Sequence, residues 1–234
     1  MYDALVVGAG PAGSLAALLL ARAGAKVHVI DRARFPRDKL CGDTVNPGAV
    51  ALLRRHGLDS VLQGSMPVDG MIVTGPSGLR VEGRYGRGVQ GRALVRRDLD
   101  ARLVEAAVAA GVSIDEGILA VGAVVENTRE GATVRGITAK AGSGRRLDIR
   151  ARVVIAADGR HSRVARGLGL SRFARAPRRW AVGGYFDTVA DLTTCGEMHV
   201  RGACYMGVAP LPGGLANACV VTTDREALQN PETL

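Results

Sequence analysis

The chain has 234 residues, 47% of them hydrophobic, enough for one large or two small domains with a sizeable core. Aromatic residues make up only 3%, glycine occurs 32 times, and 31 Lys and Arg against 22 Asp and Glu give a formal charge of +9. The arginines are scattered beyond pairs such as Arg54-Arg55, Arg96-Arg97 and Arg178-Arg179, with no interleaved aromatics. That disfavours a nucleic-acid surface and points to a solvated surface with a few anion contacts.

The first predicted unit is a strand ending at Val7, a turn with Gly8, Gly10 and Gly13 at GxGxxG spacing, a helix and a second strand over Lys26–Ile30. Pro11 suits the first helical position, Leu15, Leu18, Leu19 and Arg22 run at helical spacing, and Gly24 stops the helix. The glycines permit a tight turn and close approach to a pyrophosphate, which the open N–H groups and helix dipole attract. Asp31 closes the second strand, placed to accept from two ribose hydroxyls and to repel a 2′-phosphate, which favours NAD or FAD over NADP. No lysine follows the glycines, so a triphosphate loop is disfavoured.

Beyond Asp31 a charged, Pro- and Gly-rich loop precedes a short helix over Pro47–His56. Met71–Val73 and Leu79–Glu82 read as a hairpin. A helix follows in which Leu94, Leu99, Leu103, Val104 and Val108 can share a face, with Asp98 in its early part. Val112–Ile114 is a third parallel-strand candidate. Ile118–Glu126, Thr133–Ala139 and Arg146–Ile149 read as an antiparallel meander, and Arg152–Ala157 as a buried strand opening into a turn and helix at Asp158. From Arg178 onward strands joined by glycines begin a second, sheet-based domain, and "DREALQNPETL" reads as a helix.

Cys41, Cys195, Cys204 and Cys219 form no CxxC, and no charged n-region or bilayer-length apolar stretch appears. Free thiols in a cytoplasmic setting are expected, with peripheral membrane contact left open. Lys39 and Arg37 flank Cys41, and nearby positive charge favours a thiolate, against which stands an inert small residue in a tight loop. Arg92 follows Gly91 in a predicted glycine-containing loop and can meet a phosphate or be a surface arginine. Asp158 can cap the helix that follows it. His28, His56, His161 and His199 read as structural or solvated, and no His, Cys and Asp group has metal-ligand spacing.

Four blocks in this order resemble the FAD-dependent oxidoreductases of the aromatic-hydroxylase and geranylgeranyl-reductase superfamily: "GAGPAGS…VIDR", "FPRDKLCGD", "GRALVRRDLDARL" and "AADGRHSRVAR". The resemblance implies an α/β fold. Residues 1–170 would be a Rossmann-like FAD-binding domain with an inserted antiparallel meander. Residues 66–92 would lend strands to the β-sheet substrate domain that begins over 171–234. It implies cofactor contacts from Gly8, Gly10, Pro11, Ala12, Gly13, Asp31, Arg32, Cys41, Arg92, Asp158 and Gly159, with Ser162 in the same turn. Cys41 is also the candidate catalytic residue, because "KLCG" is similar to the cysteine loop near the flavin in the reductase branch.

The resemblance breaks in two places. Where geranylgeranyl reductases carry YxWxFP, this chain has "YMGVAP", Tyr205–Pro210, so Gly207 and Ala209 stand where large aromatics are expected and the pocket is wider or differently filled. No glycine-aspartate block follows Thr223, so a flavin site begun and not completed is expected, in a C-terminally truncated fragment of a longer protein. The implied function is an FAD-dependent oxidoreductase. NAD(P)H would be its electron donor and an apolar, lipid-like small molecule its substrate. It would reduce a double bond, with a flavin monooxygenase and a non-catalytic dinucleotide-binding module as alternatives.

Overall fold

The computed structural model describes residues 1–129, 131–172, 176 and 178–224. In chain order the elements are β1 (Tyr2–Val7), α1 (Pro11–Arg22), β2 (Val27–Asp31), β3 (Thr44–Val45), α2 (Pro47–Arg55), β4 (Met66–Val68), β5 (Gly70–Thr74), β6 (Arg80–Arg84) and β7 (Gly91–Ala93). There follow α3 (Arg96–Ala109), β8 (Ser113–Glu116), β9 (Ile118–Thr128), β10 (Gly131–Ala141), β11 (Arg146–Ala156), α4 (Arg163–Gly167), β12 (Trp180–Phe186), β13 (Cys195–Arg201), β14 (Cys204–Pro210) and β15 (Ala216–Thr222). The chain divides into two compact units, Met1–Arg37 with Arg97–Phe173, and Asp38–Arg96 with Ala174–Leu234. Among the described residues no helix is long and apolar enough to cross a membrane.

The first unit is a six-stranded sheet in the order β8-β2-β1-β11-β10-β9. β1 lies between β2 and β11, parallel to both, and its last four residues are buried. Helix α1 buries Gly13, Ser14, Ala17 and Leu18; three of these are small and let the helix approach closely. The core joins Leu5, Val7 and Ile30 to Ile137, Ala139, Ala151 and Val164, and each large apolar side chain so buried contributes about 1.5–3 kcal/mol.

One strand differs from expectation. Arg146–Ile149 and Arg152–Ala157 merge into a single strand, β11, that ends one residue short of Ala157. Its first half pairs antiparallel with β10 and its second half parallel with β1. The sequence changes character at the same point, from alternating "RLDIRA" to the continuous apolar "VVIA", which reads as two strands; the second half is not the buried strand expected, since Val153 is 55% exposed and Val154 and Ile155 are only part-buried.

The second unit holds a six-stranded sheet in the order β12-β15-β14-β13-β5-β6 and a three-stranded sheet in the order β3-β7-β4. The hairpin β5–β6 joins the large sheet through parallel pairing of β5 with β13. Residues 38–65, assigned by the sequence to the first domain, cluster with the second instead, because β3 and β4 flank β7 and draw α2 with them. Val68, Ala93 and Leu211 form the small core there.

One helix expectation needs correction and another is untested. Helix α3 starts at Arg96, so Leu94 is buried ahead of it rather than within it, and Val108 is exposed. The helix expected after Asp224 falls on residues 225–234, outside the described residues.

Candidate dinucleotide site

The turn between β1 and α1 is built by three glycines with unlike reasons. Gly8 has φ +101°, and a Cβ there would overlap the carbonyl of Ala157, the residue after β11. A Cβ on Gly13 would overlap the Gly8 carbonyl oxygen. Gly10 is different: it is the N-cap of α1 with no side-chain cap, and a Cβ there would meet only Arg37 Nη2, at 3.8 Å. Gly8 and Gly13 are demanded by packing, while Gly10 keeps the backbone open above the helix start. Pro11 occupies the first turn and Ala12 is exposed, so the helix dipole points at open space.

Asp31, at the end of β2, braces this turn. Its Oδ2 accepts from the Ala9 N–H at 2.7 Å and its Oδ1 from the Ala33 N–H at 2.8 Å. Each oxygen has a further acceptor direction, so bracing is compatible with the ribose contact expected of it. Arg32 beside it is exposed. Asp158 follows β11 across the turn. Its Oδ2 accepts from the Arg163 N–H at 2.8 Å, sharing the cap of α4 with Ser162, whose hydroxyl accepts from Ala165. Gly159 takes φ +79°.

Two buried polar atoms in this region have no hydrogen-bond partner among the described residues. One is Asp158 Oδ1; the other is Arg37 Nη1. Arg37 Nη2 pairs with Asp100 at 2.9 Å, and Asp100 is fully buried. The Asp158 Cα would lie 2.9 Å from a Cβ on Gly8, and Arg37 borders Gly10, so an orphan acceptor and an orphan cationic donor flank the same turn. Buried polar groups are nearly always satisfied, so an unsatisfied one calls for a partner from outside the chain, such as a ligand or water. A donor fork suits a pyrophosphate and a carboxylate oxygen suits a hydroxyl, so these residues fit FAD.

Arg92 and Cys41 belong to the second unit. Arg92 is in the middle strand β7, not in a loop, because β3 and β4 pair on either side of it. It lines a cleft of about 230 Å³ with Arg54, Asp59 and Ser65. Cys41 Sγ accepts from Arg96 Nη1 at 3.3 Å. Its cationic neighbour is therefore Arg96 rather than Arg37, which Asp100 holds in the first unit.

Around Cys41 lies a polar cluster. Asp43, 1% exposed and with φ +48°, accepts from the Arg96 backbone N–H and from Asn217 Nδ2, each at 2.8 Å. Its carboxyl also faces the Tyr185 hydroxyl. Burial raises the Asp43 pKa against these hydrogen bonds. Burial and then Asp43 push Tyr185 up to about 12. Burial, with Cys41 adding to it, raises Cys219.

The FAD binding domain family matches residues 1–228. The chain belongs to that family. Within it, a menaquinone reductase of Mycobacterium tuberculosis is 37% identical over 196 residues, covering 80% of this chain and 44% of that protein. A digeranylgeranylglycerophospholipid reductase of Methanosarcina acetivorans is 29% identical over 226 residues, covering 92% of this chain and 50% of that one. The solved structure of a geranylgeranyl bacteriochlorophyll reductase-like protein from Thermoplasma acidophilum superposes with a TM-score of 0.82 at 27% identity, over 98% of this chain and 59% of that one. These place the FAD-binding chain in the aromatic-hydroxylase and geranylgeranyl-reductase superfamily. The chain spans about half the length of these curated relatives.

The sequence missed Arg37 as a neighbour of Gly10, and it missed Asp43, Arg96, Tyr185 and Asn217 as one cluster. Asp43 stands in the quoted "CGD" block, which was a signal. Nothing local marks Asn217, 174 residues away from it.

Proposed function

We propose that this FAD-binding chain belongs to a reductase that saturates a carbon–carbon double bond in a prenylated lipid, with NAD(P)H as electron donor. The observation that carries the cofactor half is the orphan pair, Arg37 Nη1 and Asp158 Oδ1, flanking the open Gly10 turn. The substrate half draws on the relatives named for menaquinone and digeranylgeranylglycerophospholipid, both of which carry polyisoprenoid chains.

When bound, FAD supplies the two-electron transfer; the protein supplies position and local charge. Gly10 and the start of α1 would hold the pyrophosphate, joined by Arg37. Asp31 would take the ribose hydroxyls and Asp158 a further hydroxyl of the cofactor. In the second unit, Cys41 with Arg96 would stand on the substrate side.

The test uses the full-length protein with FAD, NADPH and a prenylated quinone, without and with labelled oxygen. Saturation adds 2 Da per double bond and proceeds without oxygen. A product carrying one labelled oxygen atom would make this chain part of a monooxygenase instead.

A further inference from the structure

The second unit carries a cationic cleft lined by Arg54, Asp59, Leu62, Gly64, Ser65 and Arg92, all of them within residues 38–96. Three short segments build it. Arg54 lies in the last turn of α2. Beyond that helix the chain turns at Leu62–Ser65, where the Ser65 N–H donates to the Leu62 carbonyl at 3.1 Å. Gln63 at φ −59° and ψ 136°, followed by Gly64 at φ +72°, makes this a type II turn. Arg92 stands in β7, held in register between Val45 and Pro67.

The charges in this cleft are incompletely paired. Arg54 Nε meets Asp59 at 3.4 Å, and the terminal nitrogens of Arg54 have no partner among the described residues. Arg92 is half-buried, and its guanidinium has no partner among them either. The Ser65 hydroxyl and the Gly64 N–H are further donors in the same condition. Two guanidinium groups and one carboxylate leave the lining at a formal +1.

We propose that this cleft binds the monoanion of a phosphodiester. Guanidinium forks match phosphate oxygens, and a planar donor set loses little freedom for each hydrogen bond it makes. One diester charge balances the lining, whereas a monoester, at about −1.5 to −2, would leave it net negative. A tetrahedral group meets donors from the helix end, the turn and the strand together, which a planar carboxylate does not. At about 230 Å³ the cleft has the volume of roughly seven waters, room for a phosphate and its first ester carbons. Arg92 thereby gains an anion of its own in place of the flavin contact that the family resemblance implies. The site goes beyond the reductase function proposed above and does not depend on it.

The experiment is calorimetric titration of the full-length holoprotein with sn-glycero-3-phosphoglycerol, a diester without lipid chains. Binding with a Kd of about 1 mM or tighter is expected, weakening as salt is added. Glycerol 3-phosphate and acetate should bind more weakly. Arg54→Gln and Arg92→Gln should each weaken the diester by about tenfold or more, which is 1.4 kcal/mol. Arg54 is exposed at a helix end, so R54Q reads the site even if R92Q disturbs the sheet. Arg55→Gln removes a charge from the same helical turn but not from the cleft, and should bind as wild type. Phosphatidylglycerol in mixed micelles identifies the source of the diester. Binding about tenfold tighter than the chain-free compound supports the cleft as a lipid-headgroup site, and equal binding supports it as a site for a soluble diester. No diester binding by the wild type, equal binding of acetate or glycerol 3-phosphate, wild-type affinity in R54Q, or the same loss in R55Q would each overturn the proposal. So would R92Q that loses FAD and keeps the diester, since Arg92 would then be a cofactor contact.

Discussion

Arg37 shows how one side chain can serve the fold and still keep a donor for a ligand. One of its terminal nitrogens holds the fully buried Asp100 at 2.9 Å, and the other has no hydrogen-bond partner among the described residues. Removing one partner of a buried ion pair leaves an uncompensated charge and costs about 3–5 kcal/mol. Arg37→Met should therefore lower the urea midpoint sharply, by about 3 kcal/mol in extrapolated stability. Arg37→Lys keeps the charge but loses the planar fork, so it should retain most stability and weaken FAD binding, read by titration of flavin fluorescence.

A second residue-scale expectation concerns acid. His28 is 5% exposed, stacks on Tyr2 at 4.6 Å and meets Ser113 at 2.8 Å. Burial lowers its pKa from 6.5, with Asp115 only partly opposing this. The unfolded chain thus binds a proton in a window where the folded chain does not, so stability rises with pH there. The contribution is intact above about pH 6.5 and is lost as pH falls toward the lowered folded value. Denaturation midpoints of the wild type should drop from pH 7 to 5, and His28→Phe, which can keep the Tyr2 stack, should flatten that slope.

At the scale of elements, the glycine turn was legible because each glycine answers to local geometry, but the sequence could not say which answers to what. Gly13 is closed by the Gly8 carbonyl and Gly8 by the carbonyl of Ala157, whereas Gly10 has space. Gly13→Ala should therefore fail to fold or lose FAD through a displaced helix. Gly10→Ala should keep the wild-type Tm while its methyl intrudes on the ligand, weakening FAD by about tenfold, which is 1.4 kcal/mol. Equal loss of stability in both variants would remove the distinction. β11 was half legible. Its alternating and continuous halves each looked like a strand, and only the pairing partners, β10 on one side of Ala151 and β1 on the other, join them. Arg92 was misplaced for a related reason, since a three-residue strand that opens on a glycine carries no periodicity to read.

Over the whole molecule, sequence patterns exposed what is local and hid what is distant. The early βαβ unit is contiguous and was read almost to the residue. The second unit is assembled from residues 38–96 and the later strands, so β5 meets β13 across more than a hundred residues of chain, and no window of sequence spans that pairing. The large sheet then brings one row onto a common face: Gly183, Cys219, Gly207, Met198, Val73 and Val81. Two glycines of this row are unlike. Gly183 is filled by Leu40 and the Ala218 carbonyl, at 2.6 and 2.8 Å from a Cβ, whereas at Gly207 the nearest atoms lie at 4.0 Å. Tyr205, Gly207 and Ala209 alternate onto this one face, so the aromatics absent from "YMGVAP" would all have stood there. If the face receives the substrate, Gly207→Trp should leave Tm and NADPH-driven flavin reduction unchanged. It should lower kcat/KM for a ring-bearing prenylated quinone by about tenfold or more relative to a slender, ring-free polyprenyl substrate. Equal loss for both substrates would show that Gly207 does not set substrate width, and loss of Tm would show that its space is needed by the sheet itself.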